Sequence, residues 1–199
     1  MSVYMPVHAL ELRGVGSFET LGSAWFLVAM YTDLSGASRP EVDAERGLQD
    51  VHKLELRVVA PTISVRRFEQ LWLDALSIAL PAEVRQDLQS DMGQFLAIMR
   101  GPLKQHDQIL LERSGDGVRV SLNYREHGHV SVAFLDALAT SLTARVSAVP
   151  IARQGLLGML SDQDARRLLV QFDQSEPSLQ RISETARWLR RREVQVSGL

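Results

Sequence analysis

Residue types that readily do chemistry are sparse in this chain. His127 and His129 stand two apart at the start of a strand-like run. That spacing would aim both imidazoles to one side, where a third ligand such as His106 could complete a metal site. The plainer reading is an exposed polar turn, since no acidic third ligand is marked. Asp162-Gln163-Asp164 lacks the remaining spacing of a calcium loop and reads as an acidic helix start. Gly14-Val15-Gly16 lacks the third glycine and the following helix of a dinucleotide-binding turn. The chain has no nucleophile elbow, phosphate-cradling glycine loop or His-Glu-x-x-His motif. With no Cys among 199 residues, a disulfide scaffold, a zinc-thiolate site, an iron–sulfur cluster and a cysteine nucleophile are all excluded.

Charge narrows the partners. The 22 Lys plus Arg against 24 Asp plus Glu leave a net charge of −2, unlike the basic footprint of a nucleic-acid binder. Residues 151–199 carry eight Arg against six acidic residues, a local +2 that leaves −4 for the rest. Arg187, Arg190, Arg191 and Arg192 fall within six residues beside Trp188. They are either a basic tip for anionic lipid, nucleic acid or an acidic protein partner, or a solvated helix end that complements the helix dipole. No run approaches the roughly 18 apolar residues of a transmembrane span. Val7-His8-Ala9 has the small or apolar spacing of a signal-peptidase site, so residues 1–9 read as a signal-peptide remnant of an exported, periplasmic protein or as a plain lead-in to a cytoplasmic one.

The elements that would position such groups follow from periodicity. Leu10-Glu11-Leu12-Arg13 reads as a short strand, the glycines of Gly14 to Gly22 as a turn or bulge, and Ser23 to Asp33 as a buried strand. Residues 34–50 read as a polar loop. In Lys53-Leu54-Glu55-Leu56-Arg57-Val58 the apolar residues face one side and the charges the other. Ser64 is an N-cap for a helix with Val65, Phe68, Trp72, Ala75, Leu76 and Ala79 on one face. Pro81 opens a second helix striped by Val84, Leu88, Met92, Phe95, Leu96 and Met99. Gln108 to Arg113 and Gly117 to Tyr124 form a hairpin on the Asp116-Gly117 signal. A strand at His129 to Val132 and a helix through Phe134, Leu135, Leu138, Leu142 and Val146 follow. After Pro150 the chain is helical: Ser161 caps one helix, and the last has Leu179, Ile182, Ala186 and Leu189 on one face. The fold class is α+β: an antiparallel sheet, or open-faced β-sandwich, with helices on one face and a C-terminal helical extension.

Three features resemble the bacterial branch of the chalcone isomerase-like family. Gly14-Val15-Gly16 precedes a long apolar strand ending in Tyr31. Leu54-Glu55-Leu56-Arg57 leads into the helix with Phe68 and Trp72. Gly117-Val118-Arg119-Val120-Ser121-Leu122-Asn123 leads through Phe134 and Pro150 to Leu156-Leu157-Gly158. The resemblance spans residues 10–158, with 159–199 as a helical extension packed on the same domain. Enzymes of this family cyclise a chalcone by attack of a phenolate on an enone, with an arginine after the glycine pair stabilising negative charge. Here Ser17-Phe18-Glu19 follow Gly16, and no Arg or Lys occurs from Gly14 to Tyr31.

The resemblance therefore implies the fold without its catalysis. The expected function is binding of an apolar ligand, fatty-acid-like or aromatic, in a cleft between sheet and helices. Trp25, Phe26, Met30, Phe68, Trp72, Phe95 and Met99 are its candidate lining, with no catalytic residue, metal or cofactor. The alternatives are an interaction module using the C-terminal helices, or an intramolecular lyase or isomerase with relocated groups.

Overall fold

Alternation along the strands builds a sheet with two unequal faces. The computed structural model describes residues 10–33 and 51–196, with side chains as far as residue 189. The lead-in 1–9, the loop 34–50 and the side chains of Arg190, Arg191 and Arg192 lie outside the described residues. Six strands pair antiparallel in the order β1 (Leu10–Thr20), β2 (Ser23–Asp33), β3 (Val51–Val58), β6 (Gln108–Ser114), β7 (Gly117–Leu122) and β8 (Arg125–Val130). Between β3 and β6 the chain inserts β4 (Thr62–Ile63), α1 (Val65–Ala79), α2 (Ala82–Asp87), α3 (Gln89–Leu96) and β5 (Leu103–Lys104). The two short strands form a separate ribbon. After β8 come α4 (Val132–Thr143), α5 (Pro150–Leu156), α6 (Asp162–Gln174) and α7 (Leu179–Val196). The α+β class with an open antiparallel sheet stands.

On the inner face, Phe26, Val28 and Met30 of β2 join Leu54 and Leu56 of β3, Ile109 and Leu111 of β6, and Val118, Val120 and Leu122 of β7 in one core. Helix α1 starts where expected, because the Ser64 hydroxyl accepts from the Arg67 amide at 3.1 Å. It buries Phe68, Leu71, Trp72, Ala75 and Leu76. Helix α4 is apolar on nearly all sides and runs through the middle of the helical layer. The opposite face is covered over β1 and β2, where Leu168 and Phe172 of α6 meet Val15, Leu27 and Ala29. So α6 crosses to the second face, while α7 returns to the main core through Trp188.

Several local expectations change. Residues Leu10–Thr20 form one strand, with irregularities at Leu12/Gly14 and Phe18/Glu19 in place of an interrupting turn. Its glycines serve packing: a Cβ on Gly14 would approach the Gly155 carbonyl oxygen to 2.4 Å, and one on Gly16 the Ala152 oxygen to 2.3 Å. Helix α5 therefore lies backbone to backbone on β1. The second predicted helix breaks at Leu88 (φ −91°, ψ 4°) into α2 and α3, which leaves Val84 exposed. The β6–β7 turn centres on Gly115-Asp116, with Gly115 at φ 65°, as a first-position glycine in a two-residue hairpin requires.

Candidate functional site

Most of the apolar residues expected to line a cleft fill a closed core. Phe26, Met30, Phe68, Trp72 and Phe95 are fully buried, Met99 nearly so, and Trp25 lies at the margin. Phe26 and Trp72 stack with centroids 5.8 Å apart, Phe68 and Phe95 lie 5.5 Å apart, and Phe95 reaches Phe134 at 5.6 Å. Such separations are the preferred spacing of packed rings and leave no room for a ligand between them. Trp25 instead donates its indole N–H to Thr20 Oγ1 at 2.7 Å, with the Arg67 guanidinium over its ring. The indole N–H of Trp72 is buried without a hydrogen-bond partner.

The apolar hollow lies one layer further out, among the helices. It encloses about 340 Å³ between α1, α2, α3 and the first turns of α4. Leu73 and Leu76 enter from α1 and Leu80 from its C-cap, Leu88 and Met92 from α3 and its cap, and Phe134 from α4. Leu76, Leu88, Met92 and Phe134 form a buried floor, whereas Arg85, Gln86 and Gln89 are exposed at the rim. Helix α2 forms one wall, yet it buries none of its residues and has no side-chain cap. Asp91 fixes the junction of α3 and α4 by accepting from the Ser131 amide at 2.8 Å and its hydroxyl at 2.6 Å. Sequence periodicity placed Leu76, Leu88 and Met92 on apolar stripes, but the break at Leu88 that opens the space had no local signal.

The histidines do not converge. The irregularity in the β7–β8 pairing at Val120/Ser121 puts an extra residue, His127, between Glu126 and Gly128. Alternation therefore resets, burying His127 and leaving His129 exposed, contrary to the expectation that both imidazoles share a side. His106 sits in the turn before β6, its Nδ1 3.1 Å from Ser175 Oγ. Among the described residues no three His, Cys, Asp or Glu side chains gather as a metal site. Asp162 and Asp164 do occupy the first turn of α6, behind the Ser161 cap.

A buried polar network went unread in the sequence. The Arg181 guanidinium grips both carboxylate oxygens of Asp107, with Nε at 2.8 Å from Oδ1 and Nη2 at 2.7 Å from Oδ2. Asn123 donates to Asp107 at 2.8 Å and to Thr185 at 3.3 Å, while its Oδ1 accepts from the Gln108 amide. Burial pulls the Arg181 guanidinium down, but its bonds to Asp107 and Glu184 more than offset that and hold it above its ordinary value. Accordingly α7 buries Arg181, Thr185 and Trp188, while Leu179 on the expected apolar face is exposed. Nearby, Glu55, expected on a solvated side, is buried and accepts from Arg57 Nε at 2.8 Å and from Gln108 Nε2. Arg57 Nη1 in turn donates to the Phe172 and Ser175 carbonyls at 2.8 and 2.9 Å, closing the C-terminal end of α6. Apart from Gln108 Oε1, which is buried without a hydrogen-bond partner, these groups pair with one another and act as a structural brace.

Of the basic tip, Arg187 is exposed and the other three side chains fall outside the described residues. No described helix is long and apolar enough to cross a membrane. Compared with protein-family models and with curated proteins, the chain matches none.

Proposed function

We propose that this chain is a non-catalytic, chalcone isomerase-like protein that binds an apolar small molecule, fatty-acid-like or aromatic, in the hollow among α1, α2, α3 and α4. The carrying observation is that hollow: about 340 Å³, floored by Leu76, Leu88, Met92 and Phe134 and rimmed by Arg85, Gln86 and Gln89. Its volume falls at the small end of ligand pockets, and its apolar floor with a few polar groups at the mouth is their usual chemistry. Met92 adds an adaptable wall, and α2, with nothing buried, is the wall that yields most easily. A lack of catalysis fits the glycine strand, where Gly14 and Gly16 are closed against α5 and no cation lies between Gly14 and Tyr31.

Native mass spectrometry of the purified protein, followed by calorimetric titration with dodecanoate and with a flavanone, tests the reading. Met92→Trp fills the hollow and should weaken binding at least about tenfold, or 1.4 kcal/mol, while far-ultraviolet dichroism stays unchanged. Saturable binding that is indifferent to Met92→Trp, or no binding of either probe, would overturn it. The C-terminal helices serve the fold in this reading, since Arg181 and Trp188 are built into the interior.

A further inference from the structure

The second face of the sheet is covered by α6 only over its first strands. Over β6, β7 and β8 it carries another hollow of about 400 Å³, lined by Leu110, the Tyr124 ring and side chains with polar ends. Cross-strand register sets its floor, with Leu110 opposite Ser121 and Ser121 opposite Glu126. Gln108 and Tyr124 close one end. At the other end Arg119 is paired with Glu112 at 2.7 Å, so that cation is already matched.

What remains in the hollow is a surplus of acceptors. The Glu126 carboxylate has a neighbour in His129 at 3.5 Å and stays half-exposed. Gln108 is 8% exposed; its Nε2 donates to Glu55, but its Oε1 is buried with no hydrogen-bond partner. A buried acceptor left unpaired is rare in a folded protein and calls for an explanation, such as a donor that arrives from outside. The Ser121 hydroxyl and the electron-rich ring face of Tyr124 add to the same polarity.

Tyr124 is the least expected of these residues. Asn123 and Tyr124 form the two-residue turn between β7 and β8, at φ 47° and 68°. Such a turn wants Asn-Gly, and a bulky residue in the left-handed region is an outlier. Asn123 has a structural reason to be there, through its bonds to Asp107 and Thr185. Tyr124 is 56% exposed, so burial does not repay its strain. Its exposed ring is also the wall best able to swing and let a donor reach Gln108. Burial first, then Glu176 and Glu55 against an opposing Arg57, raises the Tyr124 phenol above its ordinary value.

We infer that this hollow is a second, separate binding site for a small ligand bearing a protonated amine. The ammonium donates to Glu126 and Gln108 Oε1 while its alkyl chain lies on Leu110 and the Tyr124 ring. The site is independent of the interhelical hollow.

Titration of the ¹⁵N-labelled full chain with putrescine, against its uncharged diol analogue, tests the inference. Putrescine should shift the amides of Leu110, Ser121 and Glu126 saturably, leave those of Leu76 and Met92 still, and the diol should do neither. Glu126→Gln should weaken binding about tenfold, as loss of one charge-assisted bond does. Tyr124→Gly should weaken binding too, yet raise Tm by about 4 °C, because glycine relaxes the turn. Equal shifts with the diol, shifts scattered over all surface carboxylates, no shifts at all, or binding untouched by Glu126→Gln would each overturn the site. Dodecanoate shifts at Leu76 and Met92 report the other hollow, so the two readings fail separately.

Discussion

Arg181 and Asp107, 74 residues apart in sequence, meet as a two-pronged ion pair in which both side chains are almost wholly buried. Asp107 also caps the Lys104 amide at 2.8 Å, and Arg181 Nη2 holds the Pro102 carbonyl at 2.8 Å. One pair thus fixes α7 to the segment that launches β6. Removing one partner strands a buried charge, so Arg181→Ala should cost about 3–5 kcal/mol in urea unfolding. The double variant Arg181→Met/Asp107→Leu should recover only part of that loss, because the Lys104 amide and the Pro102 carbonyl lose their partners. A loss below about 1 kcal/mol for Arg181→Ala would show that the pair is dispensable.

Glu184 extends this brace towards solvent, 3.0 Å from Arg181 Nη1 and 3.4 Å from Lys104 Nζ. The hydrogen bond from Arg181 holds its carboxyl below the ordinary 4.5, against a smaller opposing effect of burial. A depressed carboxyl favours the folded state above pH 4.5, and that contribution disappears as pH falls through the folded value. Urea midpoints of the wild type should therefore decline below pH 4.5 more steeply than those of Glu184→Gln. Parallel curves would remove Glu184 from the acid response.

Two glycine substitutions should act in opposite directions. In Gly16→Ala the new methyl would meet backbone of α5 at 2.3 Å, so strand and helix must separate, at about 1–3 kcal/mol or more. In Gly93→Ala the methyl meets nothing within 4 Å on α3, so helix propensity should stabilise the chain by about 0.5–1 kcal/mol. Thermal unfolding of both variants checks the sign of each.

Phe95 touches Phe68, Trp72 and Phe134, with centroids 5.5, 6.1 and 5.6 Å away. Phe95→Ala should cost about 3–5 kcal/mol. Phe95→Leu should lose distinctly less, since most of the volume is kept. Similar losses for both in calorimetry would mean that the ring cluster is loosely packed.

Periodicity made much of this legible. Leu54, Leu56 and Val58 alternate as a half-buried strand must, and Ser64 and Ser161 announce helices α1 and α6 through their hydroxyls. What local pattern cannot show is what another part of the chain supplies. Glu55 looks solvated until Arg57 and Gln108 close on it, and Arg181 looks like surface until Asp107 requires a cation. The same holds for Gly14 and Gly16, which read as a turn until α5 lies against them. For the site, the apolar residue types were readable, but large rings such as Trp72 and Phe95 packed on each other and left the open space to Leu73, Leu76 and Met92.

The brace has a consequence for biosynthesis. Arg57 and Asp107 leave the ribosome long before Phe172, Ser175 and Arg181, their partners up to 118 residues later. At roughly 5–20 residues per second, those early polar groups wait several seconds for their counterparts. Nascent chains stalled before α7 should therefore hold a sheet in which Asp107 is still hydrated, and locking of the fold waits for Arg181.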